Sequence, residues 1–287
     1  MLGHAALAVG ACALVAVLGP VDPAPSTRSP RVSLPFELCR GFIVTARGAV
    51  GDLDGLRLLL DTGAARTIVD ARVARRLDLS GPASPILGFH GAAAAEAIVA
   101  PSIRLGPVLK TSVSVLSADL SGHAAILDCA HDVIVGADVM RGVCFTIDYR
   151  ARTLWFGRSE GWKRGVSFDR TSPYLVIDAI VDAVRLRLLV DTGSEVIAIY
   201  ERAVPAGWRA RVDADVGGTS VTGDVRLRRL TARSIELGRS RWHRRPVFLL
   251  EGSGPDPSYD GVLGVRALGL ATVHFDLEQM VLSWRTE

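Results

Sequence analysis

The sequence predicts an all-β fold with a few short helices, arranged as two tandem lobes that share a site at their interface. Three observations predict it. The chain repeats itself, its apolar runs are short and punctuated as strands are, and one tripeptide, Asp-Thr-Gly, stands at the matching place in each copy.

The repeat consists of four blocks in the same order. Leu58-Leu59-Leu60-Asp61-Thr62-Gly63-Ala64 aligns with Leu188-Leu189-Val190-Asp191-Thr192-Gly193-Ser194, and Ser102-Ile103-Arg104-Leu105-Gly106 with Ser234-Ile235-Glu236-Leu237-Gly238. Ile134-Val135-Gly136 aligns with Val262-Leu263-Gly264. Phe145–Asp148 with Leu154–Phe156 aligns with Val273–Asp276 with Leu282–Trp284. Gly136 follows Asp61 by 75 residues and Gly264 follows Asp191 by 73, a spacing that chance does not produce.

Taken in order, Ala5 to Gly19 is almost wholly apolar and is broken by the proline-rich stretch from Pro20 to Pro25. Residues 1–24 are expected to be a signal peptide or an N-terminal membrane tether through residues 5–19, which implies export to the periplasm or beyond. Residues 25–36 are an extended lead-in. Lobe one is assigned to 37–157, where Gly41–Thr45, Leu56–Leu60, Val113–Leu116 and Val133–Val135 read as strands. Leu53-Asp54-Gly55 and Asp182-Ala183 are expected to be hairpin turns just before each Asp-Thr-Gly. A helix is expected over Asp70–Leu77 with Asp70 as its N-cap, and short ones at Ala137–Arg141 and Val265–Leu268. A polar linker, 158–169, leads into lobe two at 170–287.

Of the 287 residues, 49% are hydrophobic and 22% charged, a globular composition. A formal net charge of +3 argues against a nucleic-acid partner. The basic run Arg226–Arg245 carries eight arginines, and its alternation fits the solvated side of antiparallel strands better than a site for an acidic surface. His123, Asp128, Cys129, His131 and Asp132 match no familiar metal spacing and read as an inserted polar loop. Beyond the N-terminal segment stand Cys39, Cys129 and Cys144. Cys129–Cys144 is a candidate disulfide, with three buried thiols as the alternative.

Two Asp-Thr-Gly motifs, each after three apolar residues, carry the chemistry. Hydrolysing a peptide without metal or covalent nucleophile needs a base for water and an acid for the carbonyl oxygen and the amine. Two carboxylates within about 3 Å cannot both ionise, so Asp61 and Asp191 would share one proton and serve both roles. Gly63 and Gly193 allow the tight turn that brings an amide to the carboxylate. The hydroxyls of Thr62 and Thr192 are placed to lock one loop to the other, and the apolar strands anchor both.

These motifs and the two apolar-apolar-Gly blocks resemble the pepsin and retroviral-protease clan, specifically the retropepsin-like aspartyl proteases of bacteria, over about 240 residues. The resemblance implies two retropepsin-like β-barrel lobes and an aspartic endopeptidase that acts without cofactor or metal on a peptide or protein. With both halves of the site in one chain, a monomer should suffice. It further implies that each apolar-apolar-Gly strand passes beside its catalytic loop. In pepsin-like enzymes a serine after Asp-Thr-Gly donates to the aspartate. Ser194 holds that place in lobe two and Ala64 in lobe one, so the shared proton is expected near Asp61, with Asp191 closer to a permanent carboxylate. The tyrosine of a pepsin flap is absent between Asp70 and Leu105. The flap candidates are Gly88, Phe89, His90 and Gly91 in lobe one and Gly217 and Gly218 in lobe two. A second reading keeps the fold as a silent binding protein, or as a processing protein with a single target at the cell envelope. Loss of an aspartate would favour it, and both are present.

Overall fold

The computed structural model describes residues 31–88, 91–220, 222–251 and 258–286. The expected N-terminal export segment lies outside them, and among the described residues no helix is long and apolar enough to cross a membrane.

The first half contains β1 (Val32–Cys39), β2 (Ile43–Val50), β3 (Leu53–Leu60), β4 (Ile68–Asp70), helix α1 (Ala71–Arg76), the small hairpin β5 (Ile86–Leu87) and β6 (Ala92–Ala93), and the long hairpin β7 (Glu96–Leu105) and β8 (Val108–Ala118). Then come α2 (Ser121–Leu127), β9 (Val133–Val135), α3 (Ala137–Met140), β10 (Cys144–Asp148) and β11 (Thr153–Phe156). After β12 (Gly165–Ser167), the second half runs through β13 (Val176–Val181), β14 (Val184–Asp191), β15 (Ile197–Tyr200), β16 (Ala214–Ser220), β17 (Gly223–Leu237), β18 (Ser240–Leu250) and β19 (Gly261–Gly264). A 3₁₀ turn over Val265–Leu268, β20 (Leu270–Asp276) and β21 (Val281–Thr286) complete it.

Each half closes a six-stranded barrel. In lobe one the order is β2-β3-β9-β4-β8-β7, closed by β2 on β7; in lobe two it is β13-β14-β19-β15-β18-β17, closed by β13 on β17. The two orders correspond strand for strand, which is the internal repeat made spatial. The fourth repeat block builds a third layer, in which β12, β21, β20, β10, β11 and β1 form an antiparallel run. β10 meets β20 at its centre, with Phe145 opposite Phe275 and their rings stacked 4.7 Å apart. β1 joins this layer to the first barrel, since Val32–Pro35 pair with β11 and Phe36–Cys39 with β2. The linker therefore contributes an edge strand, β12, to the layer that binds the halves.

The strands under the two motifs read as unbroken apolar runs because both of their faces are covered. Leu58 and Leu60 enter the main core, whereas Leu59 packs on the other face with Phe42, Ile68, Leu116 and Ile134. In lobe two Leu188 and Val190 enter the main core, and Leu189 packs with Tyr200, Leu227 and Tyr259. Each such leucine contributes roughly 1.5–3 kcal/mol by burial.

Helix α1 begins where expected. Asp70 is fully buried, its Oδ1 accepts the Arg72 amide at 2.8 Å and its Oδ2 accepts the Leu120 amide at 3.1 Å. The Asp182-Ala183 turn also forms, with φ of 48° and 69°. The first hairpin turn is displaced: the chain reverses at Gly51, with φ of 57°, and Leu53-Asp54-Gly55 lies inside β3. Strands β17 and β18 alternate between buried apolar and outward residues, and three of their arginines find acids: Arg228 with Glu201, Arg229 with Asp213 and Arg241 with Glu236.

The candidate disulfide is corrected. Cys39 pairs with Cys129, their Cα atoms 5.7 Å apart, because the end of β1 and the loop after α2 converge. Cys144 starts β10 in the interlobe layer, opposite Asp276, where it remains a buried thiol donating to Asp276 Oδ1 at 3.2 Å. Burial pushes that thiol up to about 11. With Cys129 in the disulfide, His123 Nδ1 and His131 Nε2 lie 3.1 Å apart and face each other.

Candidate active site

Asp61 follows β3 directly and Asp191 is the last residue of β14. Each parent strand runs parallel to its apolar-apolar-Gly strand, β3 beside β9 and β14 beside β19. The Asp61 amide donates to the Val135 carbonyl at 3.0 Å, and Asp191 stands in register with Gly264 in the β14–β19 ladder. Both aspartates are thus fixed at the backbone by a neighbouring strand, as the resemblance implied.

The two loops interlock across the lobe interface. Thr62 Oγ1 donates to the Val190 carbonyl at 2.8 Å and accepts the Thr192 amide at 3.1 Å. Thr192 Oγ1 donates to the Leu60 carbonyl at 2.8 Å and accepts the Thr62 amide at 3.0 Å. Both threonines are buried, so these four bonds have no competing water.

The glycines explain how closely the carboxyls approach. A Cβ on Gly63 would stand 2.5 Å from Asp191 Cγ, and one on Gly193 would stand 2.9 Å from Asp61 Cγ. Each loop's glycine therefore lies directly against the other loop's carboxyl. Asp61 Oδ1 accepts the amides of Gly63 at 2.8 Å and Ala64 at 3.1 Å, and Asp191 Oδ1 accepts the Gly193 amide at 2.6 Å. The two carboxyls hydrogen-bond each other. Asp191 is buried, whereas Asp61 is half-buried at the cleft floor.

Burial raises both carboxyls above their ordinary value. Asp191 rises furthest, because desolvation is joined by the adjacent charge of Asp61. At Asp61 the rise from burial is opposed by the hydrogen bond from Asp191 and by the amides of Gly63 and Ala64. The pair therefore keeps a proton above the ordinary carboxylate range, and the bond by which Ser194 was expected to hold Asp191 charged is not made. The reason is orientation: Ser194 Oγ turns from the carboxyl, donating to the Val196 carbonyl at 3.2 Å and accepting the Val196 amide at 3.3 Å. Lobe one closes the same place differently, with Thr67 Oγ1 donating to Asp138 at 2.7 Å and accepting the Gly136 amide at 3.0 Å.

A cleft of about 320 Å³ opens over the dyad. Its lobe-one flank is aliphatic, with Ala64, Ile68, Ile86, Leu116 and Ile134; its lobe-two flank presents Tyr174, Leu189 and Tyr259. Two hairpins roof it. In lobe one, β5 and β6 carry the expected turn, closed by the Gly88 amide donating to Gly91 at 3.2 Å, while Phe89 and His90 lie outside the described residues. In lobe two, Gly217 and Gly218 sit within β16, opposite Arg226 and Val225, so they belong to the arm and the tip lies further on at Ser220–Gly223. Thr222, at that tip, packs on Gly88, since a Cβ there would stand 2.2 Å from Thr222 Oγ1. The sequence reading ended the lobe-two candidate at Ser220 and missed Thr222; the signal for it was Gly223, whose φ of 120° makes the turn.

Residues 46–139 match the family model described as aspartyl protease, a span that runs from β2 to α3 and contains both Asp61-Thr62-Gly63 and Ile134-Val135-Gly136. No curated protein matches the chain.

Proposed function

We propose that this chain, which belongs to the retropepsin-like aspartyl protease family, is an aspartic endopeptidase whose two lobes together make one site. The observation that carries this reading is the contact between the Asp61 and Asp191 carboxyls at the floor of the cleft, two acids raised together by desolvation and so suited to share one proton.

In this reading a water molecule bridges the pair over the scissile peptide. The Asp61 carboxylate takes a proton from the water, whose oxygen attacks the carbonyl carbon, while Asp191 gives its proton to the carbonyl oxygen. The resulting gem-diol returns one proton through the dyad to the nitrogen, the C–N bond breaks, and the products are a carboxylic acid and an amine. The threonine interlock keeps the two acids within proton-transfer reach without rearrangement at each step. Meeting of the Gly88 and Thr222 hairpins excludes bulk water and holds an extended peptide in the cleft.

The Cys39–Cys129 disulfide and the apolar segment at residues 5–19 favour action outside the reducing cytosol, at the cell envelope. A single chain is sufficient, since both aspartates come from it. The test is digestion of an unbiased peptide library by the purified protein between pH 3 and 8, with cut sites mapped by mass spectrometry. New termini within the peptides are the expected result; none at any pH would sink the peptidase reading.

A further inference from the structure

The two halves of the cleft differ in charge. Arg66 is the one cation among the described residues that line it. Its counterpart in the repeat, five residues after Asp191, is Val196. Arg66 is half-buried and held from behind by β8: its Nη2 donates to Ser114 Oγ at 3.2 Å and to the Val115 carbonyl at 3.4 Å. It pairs with no carboxylate among the described residues, in contrast to Arg72, Arg187 and Arg211, each of which meets an aspartate. Both internal bonds use Nη2, so Nε and Nη1, which point to opposite sides of the guanidinium, each keep N–H donors that can make a single charge-assisted bond to a carboxylate.

An acidic side chain entering this cleft would meet the negative charge that the half-ionised dyad carries. A guanidinium on one flank offsets that repulsion locally, and a partly buried pair is screened less than an exposed one. The neighbouring Ile68 and Ile134 make the rest of that flank apolar and keep water from competing.

Resting on the peptidase reading above, we infer that Arg66 is a specificity-determining residue, which selects peptides that place an aspartate or glutamate side chain against the lobe-one flank of the cleft. Because Val196 stands at the matching place in lobe two, the preference is one-sided and orients the substrate across the dyad.

The test compares the full chain with Arg66→Gln and Arg66→Glu on one peptide library, followed by kcat/KM on three peptides that differ only by Glu, Gln or Lys at the enriched position. The parent should favour Glu over Gln by about tenfold, the scale of one charge-assisted hydrogen bond. Arg66→Gln should erase that ratio and Arg66→Glu should turn it toward Lys. The parent's Glu preference should also fade as pH falls through about 4, where the substrate carboxyl takes up its proton; a merely structural arginine would not produce that dependence. Thermal midpoints of both variants identify loss through misfolding, and Arg66→Gln alone suffices if Arg66→Glu does not fold. A cut-site profile unchanged in both variants would overturn the inference. Anisotropy of the same three peptides, labelled, with Asp61→Asn separates this inference from the reading beneath it. Acid-selective binding without cleavage by the parent would retain the role of Arg66 and remove the peptidase. No acid preference in binding or cleavage would remove the role of Arg66.

Discussion

Thr62 and Thr192 hold each other by exchange: each hydroxyl accepts the other's amide, at 3.1 and 3.0 Å, while donating to the carbonyl before the other's aspartate. Neither bond set is complete without both lobes. Thr62→Val keeps the shape but strands the Thr192 amide and the Val190 carbonyl in a buried site. It should cost about 2–4 kcal/mol in chemical denaturation, with Thr62→Ser costing about 1 kcal/mol or less. The Thr62→Val/Thr192→Val pair should cost clearly less than the sum of the singles, because both remove the same network.

The dyad makes a signed prediction for stability. Both carboxyls are raised in the folded chain, so over the window above the unfolded value of about 3.9 the folded state binds more protons than the unfolded one. Their contribution is fully present below that value and is lost as pH rises through the folded values. Asp191→Asn should therefore raise Tm at neutral pH by about 2–4 °C, on the order of 1 kcal/mol, with the gain vanishing below about pH 4. Asp61→Asn should gain less, since two amides already stabilise its charge. A fall in Tm at pH 7 for Asp191→Asn would contradict the raised titration of the pair.

Ser194→Ala should leave the acid limb of the pH–rate profile where it is, because the hydroxyl serves Val196 and not the carboxyl. Loss of that local turn bond should cost about 1 kcal/mol. A displaced acid limb would return Ser194 to the dyad.

The Cys39–Cys129 bridge closes a separation of 90 residues, and replacing both cysteines by serine should cost about 3–5 kcal/mol. Thiol counting on an unreduced, denatured 31–287 fragment should find one reactive thiol, Cys144. Three would exclude the bridge. Peptide mapping that found Cys129 joined to Cys144 would restore the pairing first expected.

What could be read from the sequence was what is local and repeated. The Asp-Thr-Gly loops, their apolar strands and the Asp70 cap each declare themselves within a few residues, and the repeat supplied the lobes. The misses all depend on which parts meet in space. The block at Phe145 and its copy at Val273 were visible as a repeat, but not that they pair with each other to join the halves. Cys39 and Cys144 are equally plausible partners for Cys129 until β1 and β10 are placed. Gly217 and Gly218 looked like a lid, yet the register of β16 on β17 puts them in its arm and moves the tip to Ser220–Gly223. For Ser194, the residue type was right for a donor, but a rotamer decided what received the proton.

The central claim is that Asp61 and Asp191 of one molecule form a single catalytic pair. The measurement that tests it most directly is cleavage of the mapped library peptides by the parent, by Asp61→Asn, by Asp191→Asn, and by an equimolar mixture of the two variants. Cleavage is expected from the parent alone, with both variants and their mixture silent. Activity surviving in either variant would show that the pair is not the catalyst, and activity restored by mixing would show that the site is assembled between molecules.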